Sequence, residues 1–161
     1  MVTWTGSARN LFDAARSAAM ECERTRRMLL AMELREGGSG GDGAKVSGGS
    51  VSDPMRRVDA RLDMEAQWGA RIEENEHLMD YATCVLYGRD QDGKGGITAL
   101  LGSACADALW WHYLGCETWV IAAHMVGYSD KWCKQMRSVA FDLIDSVGAD
   151  EVMNGRGLAE D

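Results

Sequence analysis

Apolar and small residues recur along the first third of the chain at alternating intervals of four and three: Leu11, Ala15, Ala18, Cys22, Thr25, Leu29 and Met32. That spacing is a heptad stripe and predicts a long helix within residues 1–36. Arg9, Arg16, Glu23, Arg24 and Arg27 fall on its other faces. The stripe is rich in small side chains, so a partner helix can come close, at a modest gain per contact. Seven of the 19 glycines then crowd between Gly37 and Gly49, and residues 37–52 read as a flexible linker. No GxxxxGK[ST] pattern turns that stretch into a phosphate cradle. Ser52-Asp53-Pro54 is a helix start, with Asp53 as the cap and Pro54 in the first helical position. Val58, Leu62, Ile72 and Met79 mark an imperfect apolar stripe running toward Leu86, and Gly88 ends it. Two long helices joined this way form an antiparallel hairpin, or each pairs with a second chain, and the pattern leaves both open.

The pattern changes again at Arg89–Gly96, where RDQDGKGG interrupts the helical period. Its DxDG resembles the start of a calcium loop but lacks the closing Glu, so an exposed turn is expected. Residues 53–96 thus hold the second arm helix and a loop. Residues 97–148 are dense in apolar and aromatic side chains and form the expected C-terminal domain. Gly148 is read as a helix stop before an acidic tail, 149–161, expected to fray. The fold class is all-α: a long helical hairpin arm followed by a small helical domain.

Composition agrees with helix. There is one Pro in 161 residues, with ten Met and many Ala, Leu, Arg and Glu. The five cysteines are odd in number, widely spaced and without a CxxC, which fits a reducing, cytoplasmic setting. No signal peptide is read in residues 1–20, and no apolar run is long enough to cross a membrane. The formal net charge of −8 weighs against a protein that coats nucleic acid nonspecifically. The acidity is unevenly placed. Residues 53–96 carry 6 basic and 10 acidic side chains, and residues 149–161 carry 1 and 4, which together supply −7 of the total.

Trp119–Ser138 has the local requirements of a helix-turn-helix. Ala123 is the small residue where two helices touch, and Gly127, four residues on, supplies the left-handed turn. Ala122, Val126, Tyr128, Cys133 and Met136 are placed to lock the two helices, and Ser129 is a natural cap for the second. That second helix, from Asp130 to about Val147, would present Lys131, Trp132, Lys134, Gln135, Arg137 and Ser138 away from the core. Lys131, Lys134 and Arg137 are the basic residues of the 97–148 stretch, and all fall within one short segment. Arg137 or Gln135 could read base edges and the lysines could meet phosphate. Asp107, Glu117, Asp130, Asp142 and Asp145 leave the region at −2, so affinity per module is expected to be weak and salt-sensitive.

Leu109, Tyr113, Trp119, Ala123, Gly127, Tyr128, Ser129, Met136, Ala140 and Phe141 carry a resemblance that runs from Leu109 to Leu143 without a gap. The stretch resembles the C-terminal domain of phage and prophage regulators of the ArpU and RinA type, which is similar to region 4 of sigma-70 factors. The upstream order of long helix, Gly/Ser-rich break and second helix near an Asp-Pro is also similar. The resemblance implies sequence-specific binding of double-stranded DNA in the control of phage late genes, with RNA polymerase as a further partner and no cofactor. The chain departs from the pattern where Val120 and Ile121 replace an acidic pair, Ala122 an Ile, His124 and Met125 polar positions, and Trp110 a basic residue. Those changes make the first helix of the motif apolar on its outer face, which fits a protein contact there or a slightly rotated helix.

Two rival functions share the same elements. A phage terminase small subunit also joins a helix-turn-helix to helical oligomerisation elements, and a helical protein-interaction module would use the arm and touch no DNA. Homo-oligomerisation through the N-terminal helices fits any of the three. No catalytic arrangement is argued from spacing, and an enzyme is not expected. His112, Cys116 and His124 lack a fourth ligand for zinc. Glu74-x-x-His77 occurs once, whereas a di-iron bundle needs a repeat, so Glu73, Glu74, Glu76 and His77 read as a solvated face. Trp110, Trp111, Tyr113, Trp119 and Tyr128 are expected in the core, and Trp132 on the outer side.

Overall fold

Every regular element in the computed structural model is helical, with no strand among the described residues, 3–37 and 54–157. The protein is all-α. Two long helices, α1 (Ala8–Gly37) and α2 (Pro54–Tyr87), precede five shorter ones: α3 (Gly96–Leu101), α4 (Ser103–Leu109), α5 (Trp119–Val126), α6 (Asp130–Val147) and α7 (Ala149–Met153). A π-helical turn over Trp110–Leu114 continues α4. The cap expected at Asp53 and the Gly-rich linker from residue 38 onward lie outside the described residues, as do 158–161.

α1 and α2 run alongside one another in opposite senses. Trp4 N–H meets the Tyr81 hydroxyl near one end, and further along Cys22 meets the Ile72 carbonyl while Arg26 pairs with Glu76. The α1 stripe is buried as its spacing predicts from Leu11 through Thr25, and Thr25 satisfies its hydroxyl on the Glu21 carbonyl at 2.8 Å. The stripe expected on α2 is corrected at its start. Val58 and Leu62 are exposed, whereas Ile72, Met79 and Leu86 fall in the inward row, which begins with Arg61 and Glu65 and also holds Trp68 and Ala82. Arg61 and Glu65 pair with each other at 3.0 Å, so the inward row is polar at its distal end and apolar only from Trp68 onward. Beyond Thr25 on α1 and before Trp68 on α2, no described residue is buried.

One core draws on nearly every element. Leu11, Phe12 and Ala15 of α1, Ala82, Val85 and Leu86 of α2, Ile97, Cys105, Leu109, Tyr113, Phe141 and Ile144 form a single buried cluster. Phe12 stacks on Phe141 at 5.3 Å and tilts against Tyr113 at 5.4 Å. The first half of the arm therefore belongs to the same core as residues 97–148, and the hydrophobic interior crosses the boundary that the sequence pattern suggests.

The acidic tail also differs from expectation. Rather than fraying after Gly148, the chain forms α7 and buries Val152 and Met153 in the core. Asp150 and Glu151 fall in its first turn, where carboxylates suit the helix dipole. The 89–96 turn is exposed at Arg89–Asp92, as expected, but closes on buried glycine. A Cβ on Gly95 would lie 2.2 Å from the Met153 carbonyl oxygen, so the close approach of α7 requires glycine there. The N-terminus of α1 is capped from a distance: Ala8 N–H donates to Asp145 Oδ1 of α6 at 2.7 Å.

Candidate nucleic-acid interface

α5 and α6 are joined by the three residues Gly127, Tyr128 and Ser129. Thr118 caps α5 by accepting from Ile121 N–H, and Gly127 closes it in the left-handed conformation, φ 77° and ψ 24°. Ser129 then caps α6, with its Oγ accepting from Trp132 N–H at 3.0 Å. Ala123, Ala108 and Cys133 are buried together where α4, α5 and α6 meet. The Gly127 turn and the Ser129 cap were readable from the residue types alone, because caps and left-handed turns depend on neighbours in sequence; the Thr118 cap and the part of Ala108 were not anticipated.

The aromatic residues are arranged differently from the expectation. Tyr113 is buried, but Tyr128 is half exposed and stacks on Trp132 at 3.9 Å instead of packing on Trp119. Trp132 is in turn half-buried against the core, not free on the outer side. Trp119 lies between three partners. His112 stacks on its ring at 3.9 Å, Tyr113 meets it edge-on at 5.9 Å, and the Arg137 guanidinium sits 5.3 Å from its centroid.

His112 Nδ1 is 2.8 Å from the Glu117 carbonyl, which can only accept, so Nδ1 carries the proton. Burial, reinforced by the positive charge of Arg16, lowers the His112 pKa to about 4, and the ring is neutral at physiological pH. Arg16 of α1 donates to the His112 carbonyl and, at 3.2 Å, to the Glu117 carbonyl. It fastens the loop before α5 to the first arm helix. Burial raises the Tyr113 pKa despite the opposing charge of Arg137 and, more weakly, of Arg9, while Asp13 adds to the rise. Sequence reasoning missed Arg9 and Arg16 as neighbours of this surface. About a hundred residues separate them from it, and no periodicity announces the contact.

The candidate residues on α6 are brought together but are not equivalent. Lys131, Lys134, Gln135 and Ser138 are exposed on one side and, with Asp130 and Arg137, line an open depression of about 450 Å³. Lys134 Nζ is 3.2 Å from Asp130 Oδ1, an ion pair off-line for a hydrogen bond. Ser138 turns its hydroxyl back to the Lys134 carbonyl at 3.3 Å, as exposed helical serines do. Arg137 is half-buried, and its Nε has no hydrogen-bond partner. The Trp119 ring holds its fork in place. Two of the acidic side chains counted against DNA binding point elsewhere: Asp107 accepts from the Tyr87 hydroxyl at 2.7 Å, and Asp145 caps α1.

The outer side of α5 is apolar, with Val120, Ile121 and Met125 exposed. No group of three or more His, Cys, Asp or Glu side chains among the described residues could hold a metal ion, and no helix there is long and apolar enough to cross a membrane. No protein-family model, curated protein or solved structure matches the chain.

Proposed function

We propose that the protein is a sequence-specific reader of double-stranded DNA and acts as a phage-type transcriptional regulator, with α5, the Gly127 turn and α6 as a helix-turn-helix of the sigma-70 region-4 kind and the α1–α2 hairpin as its arm. The observation that carries this reading is the exposed side of α6. A capped helix leaves a rigid turn with Lys131, Lys134, Gln135 and Ser138 on one uncovered surface. Lys131 and Lys134 would meet phosphates, and Lys134 would exchange Asp130 for a phosphate oxygen on binding. Gln135 is short and exposed, suited to a base edge, and Arg137 would present its outer nitrogens from a seat fixed by Trp119.

The apolar outer side of α5 supports a second contact, with a protein surface such as RNA polymerase. Val120, Ile121 and Met125 stand where a purely DNA-facing helix would gain from polar groups. The same observation favours the rival reading of an interaction module without DNA. Footprinting of the purified protein on its own upstream region separates the two. The expected result is protection at low salt that is lost in a Lys131→Ala, Lys134→Ala double variant. Each lysine removed should lower the slope of log affinity against log salt by about 1. No protection at low salt would defeat the DNA reading.

A further inference from the structure

Among the described residues, the buried side-chain polar atoms left without a hydrogen-bond partner are Asp130 Oδ1 and Arg137 Nε. Both belong to residues that line the depression on α6. Asp130, Lys134 and Arg137 follow one another at intervals of four and three, which sets them on one stripe of that helix. Arg137 has the Trp119 ring beneath its guanidinium, whereas the Asp130 carboxylate has no comparable seat. Its neighbour of opposite charge is Lys134, whose Nζ stands 3.2 Å from Oδ1 and off-line. The side chain is nevertheless 42% exposed, and with Oδ1 covered, access to the carboxylate is through Oδ2.

A carboxylate in the first turn of α6 suits the helix dipole. Here it also neutralises Lys134 on the face proposed for DNA, where a phosphate-binding surface would gain from its absence. Binding sharpens the conflict. Once Lys134 turns to a phosphate, the carboxylate loses its counter-charge while the start of the helix enters the groove. A carboxylate left there without a donor is strongly disfavoured. The N-terminal residues of a recognition helix lie nearest the base edges, so the short side chain of Asp130 stands where a base can supply that donor.

We infer that Asp130 is a specificity-determining residue of α6, and that its carboxylate accepts from the N4 amino group of a cytosine at the base pair facing the start of the helix. This rests on the DNA reading of α6 and adds a base to it. In the major groove cytosine presents that amino donor and no acceptor of its own. Adenine sets its N7 acceptor beside its amino group, thymine offers the O4 acceptor, and guanine offers N7 and O6. Each of these turns lone pairs toward the carboxylate. The acidic group that weakens binding to DNA at large thus becomes a source of discrimination, because only the matching base relieves it.

The inference is tested by selecting bound DNA from a library of randomised duplexes with the full chain at low salt, using wild type, Asp130→Asn and Asp130→Ala. Circular dichroism checks that both variants keep the wild-type helical content. The wild type should enrich a motif with one fixed cytosine. Asp130→Asn should turn that position to adenine, the base that pairs with an amide, and leave the other positions in place. Replacing that C·G pair by T·A in the selected duplex should lower wild-type affinity about tenfold and leave that of Asp130→Ala unchanged. A motif unaltered in Asp130→Asn would overturn the inference and leave the DNA reading standing. So would an Asp130→Ala protein that binds every duplex more tightly by the same factor, since the carboxylate would then only repel. The absence of any enriched motif with the wild type would defeat the DNA reading itself, and the inference with it.

Discussion

His112 is the residue whose ionisation is most altered near the candidate interface. It is held neutral by burial between Trp119, Tyr113 and the Glu117 carbonyl, with Arg16 adding a repulsive charge. In the unfolded chain its pKa returns to about 6.5, so between that value and about 4 the unfolded state binds the extra proton and the folded state does not. The stability His112 contributes is therefore complete above pH 6.5 and is lost as the pH falls toward 4. Urea midpoints at pH 7 and pH 4.5 should drop further for the wild type than for His112→Gln, in which that titration is absent. Equal drops would show that the ring is not held neutral.

Among the elements, the two short segments that flank the core are the ones most dependent on close backbone approach. Gly95 admits the Met153 carbonyl at a distance no side chain allows, and α7 packs through that contact. Gly95→Ala should cost about 1–3 kcal/mol, the range for overpacking a tight site, read as a shift in the urea midpoint. The effect should fall on α7 first, seen as faster amide exchange at Val152 and Met153. How far the elements could be read from the sequence follows from the range of the forces that make them. The α1 stripe, the Gly127 turn, the Ser129 cap and the span of α6 were legible because each is set within a few residues. The inward row of α2 was misread because Arg61 and Glu65 occupy facing positions as an ion pair, so that apolarity and inwardness separate there. The helix α7 was missed because five residues hold less than two turns, too few to show a period. Within the candidate site, the exposed lysines and Gln135 were legible. The seat of Arg137 on Trp119 and the stacking of Tyr128 on Trp132 were not, because both need the path of a second element.

Taken whole, the molecule has one interior to which both ends of the sequence contribute. Phe12 lies against Tyr113 and Phe141, and Val152 closes the same cluster. Residues 97–157 expressed alone are therefore expected to remain unfolded, with a collapsed amide spectrum, although they hold the entire α5–α6 unit. Phe12→Ala in the full chain should cost about 3–5 kcal/mol, the range for emptying an aromatic site in a core. A well-dispersed spectrum from the fragment would show that the C-terminal helices need no arm.

The hydrogen bond from Ala8 N–H to Asp145 Oδ1 joins groups 137 residues apart. On the ribosome α1 is made first, and its leading turn has no acceptor from α6 until the last helices have emerged. Until then the helix relies on its local cap, Ser7 Oγ accepting from Asn10 N–H at 3.2 Å, and its apolar stripe waits for the later helices to cover it. A truncation that removes α6 leaves the Ala8 N–H without the acceptor it has in the folded chain.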